Sequence, residues 1–451
     1  MAGGRKSKKA KKELTQEEKL ERALVPAEEQ PYEVPGNWCW TTLRNVVEII
    51  MGQSPAGTAI TEDDSYTPLI GGAADMGILY PKITRYTKIP TKISGDNDLI
   101  LCVRATLGRP IFSNGEYCLG RGVAALRPYQ GKKEFYRYFF LNFEQYLYDN
   151  ATGTTFAQVS KDTLQDMPFP LPPLPEQKRI VDRIESIFAR LDEAGEKAQA
   201  VVDGFKLRKS AILHRAFTGE LTKRWRLEHG ITLKKWSKRK LKDCGDWCGG
   251  GTPSMAHPEY WDGGSLLWVT SKDMKFDVIE DTLMCTNMVG VDNSSANYIE
   301  KPSVLFVMRS GILRRTLPIA MVKVPFTVNQ DLKAISPAVD LNLEYLFWAC
   351  RSSEKIIRNT CMKNGTTVES INARALMEFE IPIAPQEEQI EIVNCIVSML
   401  EKEQQAKRAA ETVLGQIDIM KKAILARAFQ GGLGTNDPAE ESAAKLLRAI
   451  L

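Results

Sequence analysis

The chain has 451 residues, which is ample for two domains of ordinary size joined by helices. Its nine cysteines are an odd, scattered set, and the nearest pair, Cys244 and Cys248, lacks the second pair or the histidines of a zinc site. We therefore expect reduced thiols in a cytoplasmic protein. No apolar run of about 18 residues exists and the N-terminus is polar, which excludes a membrane span and a signal peptide.

The net charge of +4 conceals a segregated charge distribution, which begins with a basic tail over 1–31. This segment shows no apolar periodicity, so we expect it to be disordered. Phosphate contact and simple solvation both remain open for its basic cluster. That cluster consists of Arg5, Lys6, Lys8, Lys9, Lys11 and Lys12.

A first globular domain is predicted over 32–175. Short β-branched or aromatic runs such as LILCVRA at 99 alternate there with Gly and Pro turns, and the amphipathic stretch FYRYFFLNFEQYLY begins at 135. This mixture predicts a small α/β or α+β domain, and we assign the chain to the α/β class.

A long helix is predicted over 176–217, after a Pro-rich stretch at 168–175. Apolar residues recur there on heptad spacing, and only Arg208 breaks the seam. A stripe of about five heptads favours a coiled coil with a partner helix, although packing on its own globular domain is the alternative. The predicted seam residues are Ile180, Ile184, Ile187, Leu191, Ala194, Ala198, Val201, Phe205 and Ile212.

A basic linker is predicted over 218–235. Residues 204–242 hold 13 lysines and arginines against two glutamates, with Trp225 and Trp236 interleaved. This pattern favours contact with nucleic-acid phosphates, and a merely solvated face is the alternative.

The chain then repeats itself. KSAILHRAFTGEL at 209 returns as KKAILARAFQGGL at 421, and the offset of 212 holds without a gap back to GTTF at 153 and GTTV at 365. A weaker match at offset 198 pairs Gly52 and Pro55 with Gly250 and Pro253. We therefore predict a second globular domain over 236–384, a second coiled-coil helix over 385–430 and a tail with a short helix over 431–451. The two copies share these motifs but differ in the residues between them. We therefore expect one common fold with two different recognition surfaces, which suits an asymmetric, two-part target.

The second helix repeats the seam, with Glu403 as its only break. Each helix of about 40 residues is roughly 60 Å long, and about 20 linking residues return that distance only if almost fully extended, so we expect antiparallel pairing. Ala194 and Ala198 would then lie near Ala410 and Ala406, and the rod would space two domains along a DNA duplex. The second seam consists of Ile392, Ile396, Met399, Ala406, Ala410, Val413, Ile417, Met420 and Ile424.

The sequence carries no recognisable catalytic, cofactor-binding or metal-binding motif. His214, His229 and His257 share no spacing with cysteines or acids that would ligate a metal. GGGTPS at 249 lacks the ending of a phosphate loop, so we expect a turn. The chain alone is predicted to perform no reaction.

The globular copies instead offer loops with side chains suited to phosphates and base edges. Arg104 and Arg309 follow matching apolar runs, so they are expected at strand ends with a shared role. The candidate DNA-binding residues are Lys82, Arg85, Arg104, Arg109 and Arg121 in the first copy, and Lys272, Arg309, Arg314, Arg315, Asn329 and Gln330 in the second.

The chain resembles the specificity subunits of type I restriction-modification systems over residues 32–433. The motifs that carry the resemblance are the two GTT loops with PLPPLPEQKRIVDRI and PIAPQEEQIEIVNCI, the two AILxRAFxGxL helix ends, GGTPS at 250, YW at 260 and NQDLKAISP at 329. The resemblance implies two target recognition domains, each reading half of a bipartite DNA site. Its helices would space those domains and dock two modification subunits.

The resemblance further implies that the partners carry the chemistry. Modification subunits would bind S-adenosylmethionine and methylate adenine, and restriction subunits would add ATP-driven, magnesium-dependent translocation and cleavage. Two alternatives stay open, a self-contained DNA methyltransferase and a coiled-coil scaffold without a nucleic-acid role. The missing cofactor and catalytic motifs count against the methyltransferase.

Overall fold

The computed structural model describes residues 14–153, 155–363 and 368–451, which form two compact units. Unit 1 comprises the described residues up to 197 together with 412–451, and unit 2 comprises those of 198–411. Both units mix helices and strands. The fold class is therefore α/β, as expected from the sequence.

Two of the helices are much longer than the rest, at 44 residues each. Each is continuous, but its first and last parts belong to different units. The helices are α1 Gln16–Ala23, α2 Lys133–Asn142, α3 Glu144–Asp149, α4 Lys161–Gln165, α5 Leu174–Phe217, α6 Lys223–Glu228, α7 Met288–Asp292, α8 Leu343–Ser352, α9 Glu354–Cys361, α10 Ala373–Met377, α11 Gln386–Phe429 and α12 Ala443–Ile450.

The strands are short, with ten among the described residues of unit 1 and eleven among those of unit 2. Those of unit 1 are β1 Cys39–Thr42, β2 Val47–Met51, β3 Ile60–Thr61, β4 Thr67–Ile70, β5 Tyr86–Thr87, β6 Leu99–Arg104, β7 Thr106–Phe112, β8 Cys118–Leu119, β9 Val123–Pro128 and β10 Pro168–Leu171. Those of unit 2 are β11 Ser237–Lys240, β12 Gly245–Gly249, β13 Leu266–Val269, β14 Cys285–Thr286, β15 Ser303–Val307, β16 Ile319–Val322, β17 Phe326–Val328, β18 Leu332–Pro337, β19 Met362–Lys363, β20 Ser370–Ile371 and β21 Glu380–Ile383.

The main sheet of unit 1 has the order β2-β9-β6-β7, and all its pairings are antiparallel. Its central strands are buried on both faces, because α2 covers one face with Phe135 and Phe139 while a small second cluster covers the other. A second sheet has the order β3-β5-β4-β8, and its β4–β8 pairing is parallel. Strands β1 and β10 form a separate antiparallel pair.

Unit 2 repeats this plan in its own residues. Its main sheet, β12-β18-β15-β16, is antiparallel and packs against α8. A smaller sheet, β14-β13-β17, again contains one parallel pairing, β13–β17, and β11–β21 repeats the separate pair. The internal repeat seen in the sequence is therefore a repeat of topology.

The long helices pair in antiparallel fashion within each unit. In unit 1, the Lys421 ammonium of α11 pairs with Asp192 of α5, and a Cβ on Gly195 would lie 3.2 Å from Ile417 Cδ1. In unit 2, Arg208 of α5 pairs with Glu403 of α11 over 2.6 Å. The Lys407 ammonium there lies 5.3 Å from the centroid of the Phe205 ring. Residue numbers fall along one helix as they rise along the other, which confirms the predicted direction of pairing.

The apolar seam is buried in some places and open in others. Ile180, Ile184, Ala198, Ile212, Ile392, Ile396, Ala410 and Ile417 are buried, and Ile187, Leu191, Val201, Phe205, Met399 and Ile424 are half-buried. Ala194, Ala406, Val413 and Met420 are exposed, contrary to their assignment as seam residues. A strict seven-residue repeat drifts around an α-helix by about 20° per heptad, so one stripe does not stay on the buried face.

Two segments expected to be irregular contain regular structure. The tail expected to be disordered over 1–31 carries α1, whose N-cap Thr15 forms a capping box with Glu18. Its basic cluster lies outside the described residues. The expected linker over 218–235 carries α6, and the predicted helix of the C-terminal tail is α12. Among the described residues, no helix has the length and apolar character needed to cross a membrane.

Candidate nucleic-acid interface

A parallel strand pair brings two loops of unit 1 to one edge. Strands β4 and β8 align Ile70 with Leu119, so the loops that follow them, 71–75 and 120–122, leave side by side. The Gly120 amide donates to the Ile70 carbonyl over 2.8 Å. A Cβ on Gly122 would lie 2.3 Å from the Gly71 carbonyl oxygen, so this contact requires glycine.

A third loop, 52–55, completes the cluster. The Gln53 amide donates to the Leu119 carbonyl over 2.8 Å, and Ser54 Oγ accepts from the Arg121 amide over 3.2 Å. A Cβ on Gly52 would lie 2.1 Å from the Gly120 carbonyl oxygen. We call loops 52–55, 71–75 and 120–122 the unit 1 loop cluster.

Asp75 fixes the shape of the middle loop. Its carboxylate is buried and accepts from the Gly71 amide over 2.7 Å and the Gly72 amide over 3.3 Å. Arg85 Nη2 adds an ion pair over 3.0 Å, with the Arg85 side chain 44% exposed. Amide donors and a cation satisfy this buried charge, so the loop is held in one conformation.

Unit 2 builds the same arrangement with other residues. Strands β13 and β17 are parallel and align Val269 with Val328, and the Asn329 amide donates to the Val269 carbonyl over 3.0 Å. Asp273 takes the place of Asp75, because its carboxylate accepts from the Thr270 amide over 2.8 Å and the Thr270 hydroxyl over 2.6 Å. We call loops 250–253, 270–273 and 329–331 the unit 2 loop cluster.

The unit 2 loop cluster borders a cavity of about 320 Å³. Trp268, Lys272, Asp273, Asn329 and Asp331 contribute to its lining. Thr252 Oγ1 donates to Gln330 Oε1 over 2.5 Å and so joins the first loop to the third. The opening offers amide, ammonium and carboxylate groups beside an aromatic ring, which is a set suited to hydrogen bonding with base edges.

Four of the five predicted residues of the first copy lie in or beside the unit 1 loop cluster. Arg121 is in its third loop, Arg85 binds Asp75, and the Lys82 amide donates to the Asp75 carbonyl over 2.8 Å. Arg109 Nη1 donates to the Ala73 carbonyl over 3.3 Å. Arg109 also has a φ of 53°, and such strain in a non-glycine residue is concentrated at functional sites.

Five of the six predicted residues of the second copy divide into two groups. Lys272, Asn329 and Gln330 belong to the unit 2 loop cluster, and Asn329 is 8% exposed. Arg314 lies outside the three loops, in an ion pair with Glu369, and the exposed Arg315 follows it. Whether any of these residues contacts DNA stays a prediction.

Arg104 and Arg309 occupy equivalent positions at strand ends. Arg104 forms an isolated antiparallel bridge with Gln158, and Arg309 forms one with Ser370, which stands 212 positions after Gln158. Arg309 Nε also lies 3.8 Å from Asp331 Oδ1 in the unit 2 loop cluster. Both bridges adjoin the GTT motifs, whose residues Thr154 and 365–367 lie outside the described residues.

Many charged side chains of the basic segment 204–242 form ion pairs within the chain. Arg226 pairs with the buried Glu388 over 2.6 Å, and Trp236 Nε1 donates to the same carboxylate over 2.7 Å. Trp225 stacks on His229 at 4.2 Å between ring centroids. The interleaved tryptophans therefore have structural partners, which weakens the phosphate-contact interpretation of this segment.

Further along the same segment, two lysines share one acid. Lys240 and Lys242 donate to Glu378 over 2.7 Å and 2.6 Å. These hydrogen bonds lower the pKa of the Glu378 carboxyl from 4.5 to about 2. Besides Lys242, the exposed lysines of the segment are Lys206, Lys223, Lys234, Lys235 and Lys238, and phosphate contact by these lysines stays a prediction.

Sequence reasoning missed the hydroxyl residues Ser54 and Thr252. Each reaches the turn of the third loop in its own unit. The signal was the repeated pattern of glycine, any residue, serine or threonine, and proline at 52–55 and 250–253. Pro55 and Pro253 are both buried, which anchors the loop and presents the hydroxyl.

Comparisons with known proteins give this arrangement a family. The family model described as type I restriction modification DNA specificity domain matches residues 35–201 and 233–410. The type I restriction enzyme EcoR124I/EcoR124II specificity subunit of Escherichia coli is 35% identical over 158 residues, which are 35% of this chain and 39% of that protein. The chain thus spans about two fifths of that relative's length in this match.

A longer match supports the same assignment, and a solved structure shows the same fold. The type I restriction enzyme EcoBI specificity subunit of Escherichia coli is 23% identical over 398 residues, or 78% of this chain and 79% of that protein. The crystal structure of the HsdS subunit from Thermoanaerobacter tengcongensis has the same fold, with a TM-score of 0.63, 18% identity and coverage of 90% of this chain and 99% of that one. The two family matches cover most of the chain, one on each globular copy. The chain therefore belongs to the type I restriction modification DNA specificity family.

Proposed function

We propose that this chain is the sequence-reading subunit of a type I restriction-modification complex. The unit 1 loop cluster reads one half of a bipartite, asymmetric DNA site, and the unit 2 loop cluster reads the other half. The observation that carries this proposal is the repetition of one loop frame with different side chains. A shared frame supports equivalent docking on two half-sites, whereas different side chains support two different sequences.

The chemistry of the complex is assigned to other subunits. Two modification subunits would dock on the paired helices and bind S-adenosylmethionine, and restriction subunits would supply the steps that use ATP and magnesium. The support for this division is the family assignment together with loop clusters that display hydrogen-bonding groups rather than a nucleophile and base. Residues of this chain then bind and orient DNA.

The proposal is tested by selecting duplexes from a random DNA library with the chain co-expressed with its candidate modification subunit. We expect two unlike short motifs at a fixed separation after sequencing. A single motif would contradict a two-part reader. No enrichment over bulk DNA would refute sequence-specific binding and favour a scaffold.

Salt dependence provides a second, independent readout. Phosphate contacts release counterions, so the logarithm of the binding constant falls linearly with the logarithm of the salt concentration, by about 0.9 per phosphate neutralised. We expect a steep slope for the selected duplex in a binding assay with the same complex. A flat dependence would contradict DNA binding through these basic loops.

A further inference from the structure

Each loop cluster contains one turn, and the turns of the two units form equivalent backbone hydrogen bonds. In unit 1 the Val123 amide donates to the Gly120 carbonyl over 3.2 Å, and in unit 2 the Leu332 amide donates to the Asn329 carbonyl over 3.2 Å. The first residue of each turn also donates to the end of the neighbouring parallel strand, over 2.8 Å and 3.0 Å respectively. The second residue of the turn is Arg121 in one unit and Gln330 in the other.

Both second residues are exposed, and each is contacted by the hydroxyl residue of the first loop, through the backbone amide of Arg121 in unit 1 and through the side chain of Gln330 in unit 2. The Arg121 amide donates to Ser54 Oγ over 3.2 Å, and Gln330 Oε1 accepts from Thr252 Oγ1 over 2.5 Å. Ser54 and Thr252 hold the same place in their loops, 198 positions apart. The chain therefore presents two different long polar side chains from one fixed platform.

The chemistry of these side chains differs in a way that base pairs distinguish. The guanidinium of Arg121 has only donors, and it has no hydrogen-bond or ion-pair partner among the residues that the structure describes. It matches the two major-groove acceptors of guanine, O6 and N7. Gln330 offers an amide donor and keeps one carbonyl lone pair beyond the Thr252 bond, which matches the N7 acceptor and N6 donor of adenine.

The Thr252 hydroxyl also orients the amide. Because it donates to Oε1, the Gln330 NH₂ group points away from the first loop. Gln330 carries no charge, so it lacks the attraction for a phosphate that an arginine at this position would have.

We propose that Arg121 and Gln330 are equivalent specificity-determining residues, with Arg121 selecting a G·C pair in one half-site and Gln330 selecting an A·T pair in the other. This inference rests on the proposed function of the two loop clusters. It adds the identity of one base pair in each half-site. Ser54 and Thr252 are positioning residues for these contacts.

The test compares sites selected from a random DNA library by complexes of wild type, Arg121→Gln and Gln330→Arg with the candidate modification subunit. We expect Arg121→Gln to change one G·C pair to A·T in one half-site only. We expect Gln330→Arg to change one A·T pair to G·C in the other half only. The lost preference should amount to roughly 5- to 150-fold in affinity.

Alanine variants and a charge control keep the result interpretable. Arg121→Ala and Gln330→Ala should each accept any base at one position, with unchanged thermal unfolding because both side chains are exposed. Arg22→Gln removes an exposed positive charge from α1, outside both loop clusters, and should select the wild-type site.

Three outcomes would count against these assignments, and they are distinguishable. Uniform weakening over all sequences by Arg121→Ala would identify a phosphate contact and overturn the base assignment. A bipartite wild-type site that neither substitution alters would overturn it as well, while leaving the proposed function intact. A wild-type complex that selects no site would refute the proposed function itself.

Discussion

Arg208 and Glu403 each interrupt the apolar repeat of their own long helix, and they pair with each other over 2.6 Å between Nε and Oε2. Arg208 Nη2 also donates to the Val201 carbonyl over 2.7 Å. The side chains are 37% and 23% exposed, so the pair sits at the edge of the seam rather than deep inside it. Two polar breaks that would each weaken a coiled coil thus meet, which selects one register between α5 and α11 in unit 2.

Charge reversal tests this pairing. Arg208→Glu and Glu403→Arg should each lower the free energy of unfolding by about 1–2 kcal/mol, because each places like charges together. The double variant should recover most of that loss in urea denaturation, which gives the coupling energy directly. The more exposed pair Lys197 and Glu193, with side chains 75% and 65% exposed, provides the control, and its reversal should couple much less. Additive losses in the Arg208 and Glu403 cycle would refute the pairing.

The second prediction concerns the buried carboxylate of Glu388. It accepts from Arg226 over 2.6 Å, from Thr222 over 2.7 Å and from Trp236 over 2.7 Å. Glu388→Ala should lower stability by about 3–5 kcal/mol, because it leaves the Arg226 charge buried and unpaired. Glu378→Gln, at an exposed ion pair, should have a small effect in the same denaturation assay. Equal losses in the free energy of unfolding for the two substitutions would contradict a special contribution of the buried Glu388 network to stability.

Alanine substitutions of Arg85 and Arg121 are predicted to have different effects on stability and DNA binding. Arg85→Ala removes the cation beside the buried Asp75 and should lower stability by about 1–3 kcal/mol. It should also weaken binding to the half-site read by the unit 1 loop cluster, because the loop at 71–75 loses its fixed conformation. Arg121→Ala should leave the unfolding temperature unchanged and relax base selection instead. Parallel thermal scans and binding assays check the contrast, and a reversed pattern would contradict the assigned roles.

The thiols give a prediction that depends on pH. Burial raises the pKa of Cys102 and Cys244 from 9.0 to about 11. Because the folded state favours the neutral thiol, this contribution to stability is complete below about pH 9 and is lost as the pH rises toward 11. At pH 8 we expect iodoacetamide to modify these two cysteines slowly in the native protein and rapidly in urea. The half-buried Cys285 is the internal control, and rapid native modification of Cys102 would contradict its burial.

The long helices and the second globular copy were predictable from the sequence because both follow from patterns of residues along the chain. The long apolar periodicity predicted the two helices, and the gap-free repeat predicted the second globular domain. The direction of pairing followed from the reach of the linker. The exposed Ala194 and Ala406 show the limit, because the phase of a strict heptad stripe does not determine which turns find a partner.

The candidate site was less accessible to sequence reasoning. Arg121 and Gln330 were selected by residue type alone, as were Arg314 and Arg315, which lie elsewhere. What brings the loops of each proposed cluster together is a parallel pairing between strands of two to four residues, which no periodicity reveals. Buried acids such as Asp75 were also missed, since their function depends on backbone amides from a folded loop.

The most direct test of two independent readers is a competition binding assay on the selected duplex, with each half-site scrambled in turn. Each mismatched base pair costs about 1–3 kcal/mol, so scrambling either half should lower affinity steeply, and scrambling both should reduce it to the level of bulk DNA. That result is predicted if each loop cluster reads its own half-site. Full affinity after one half is scrambled would contradict the central claim.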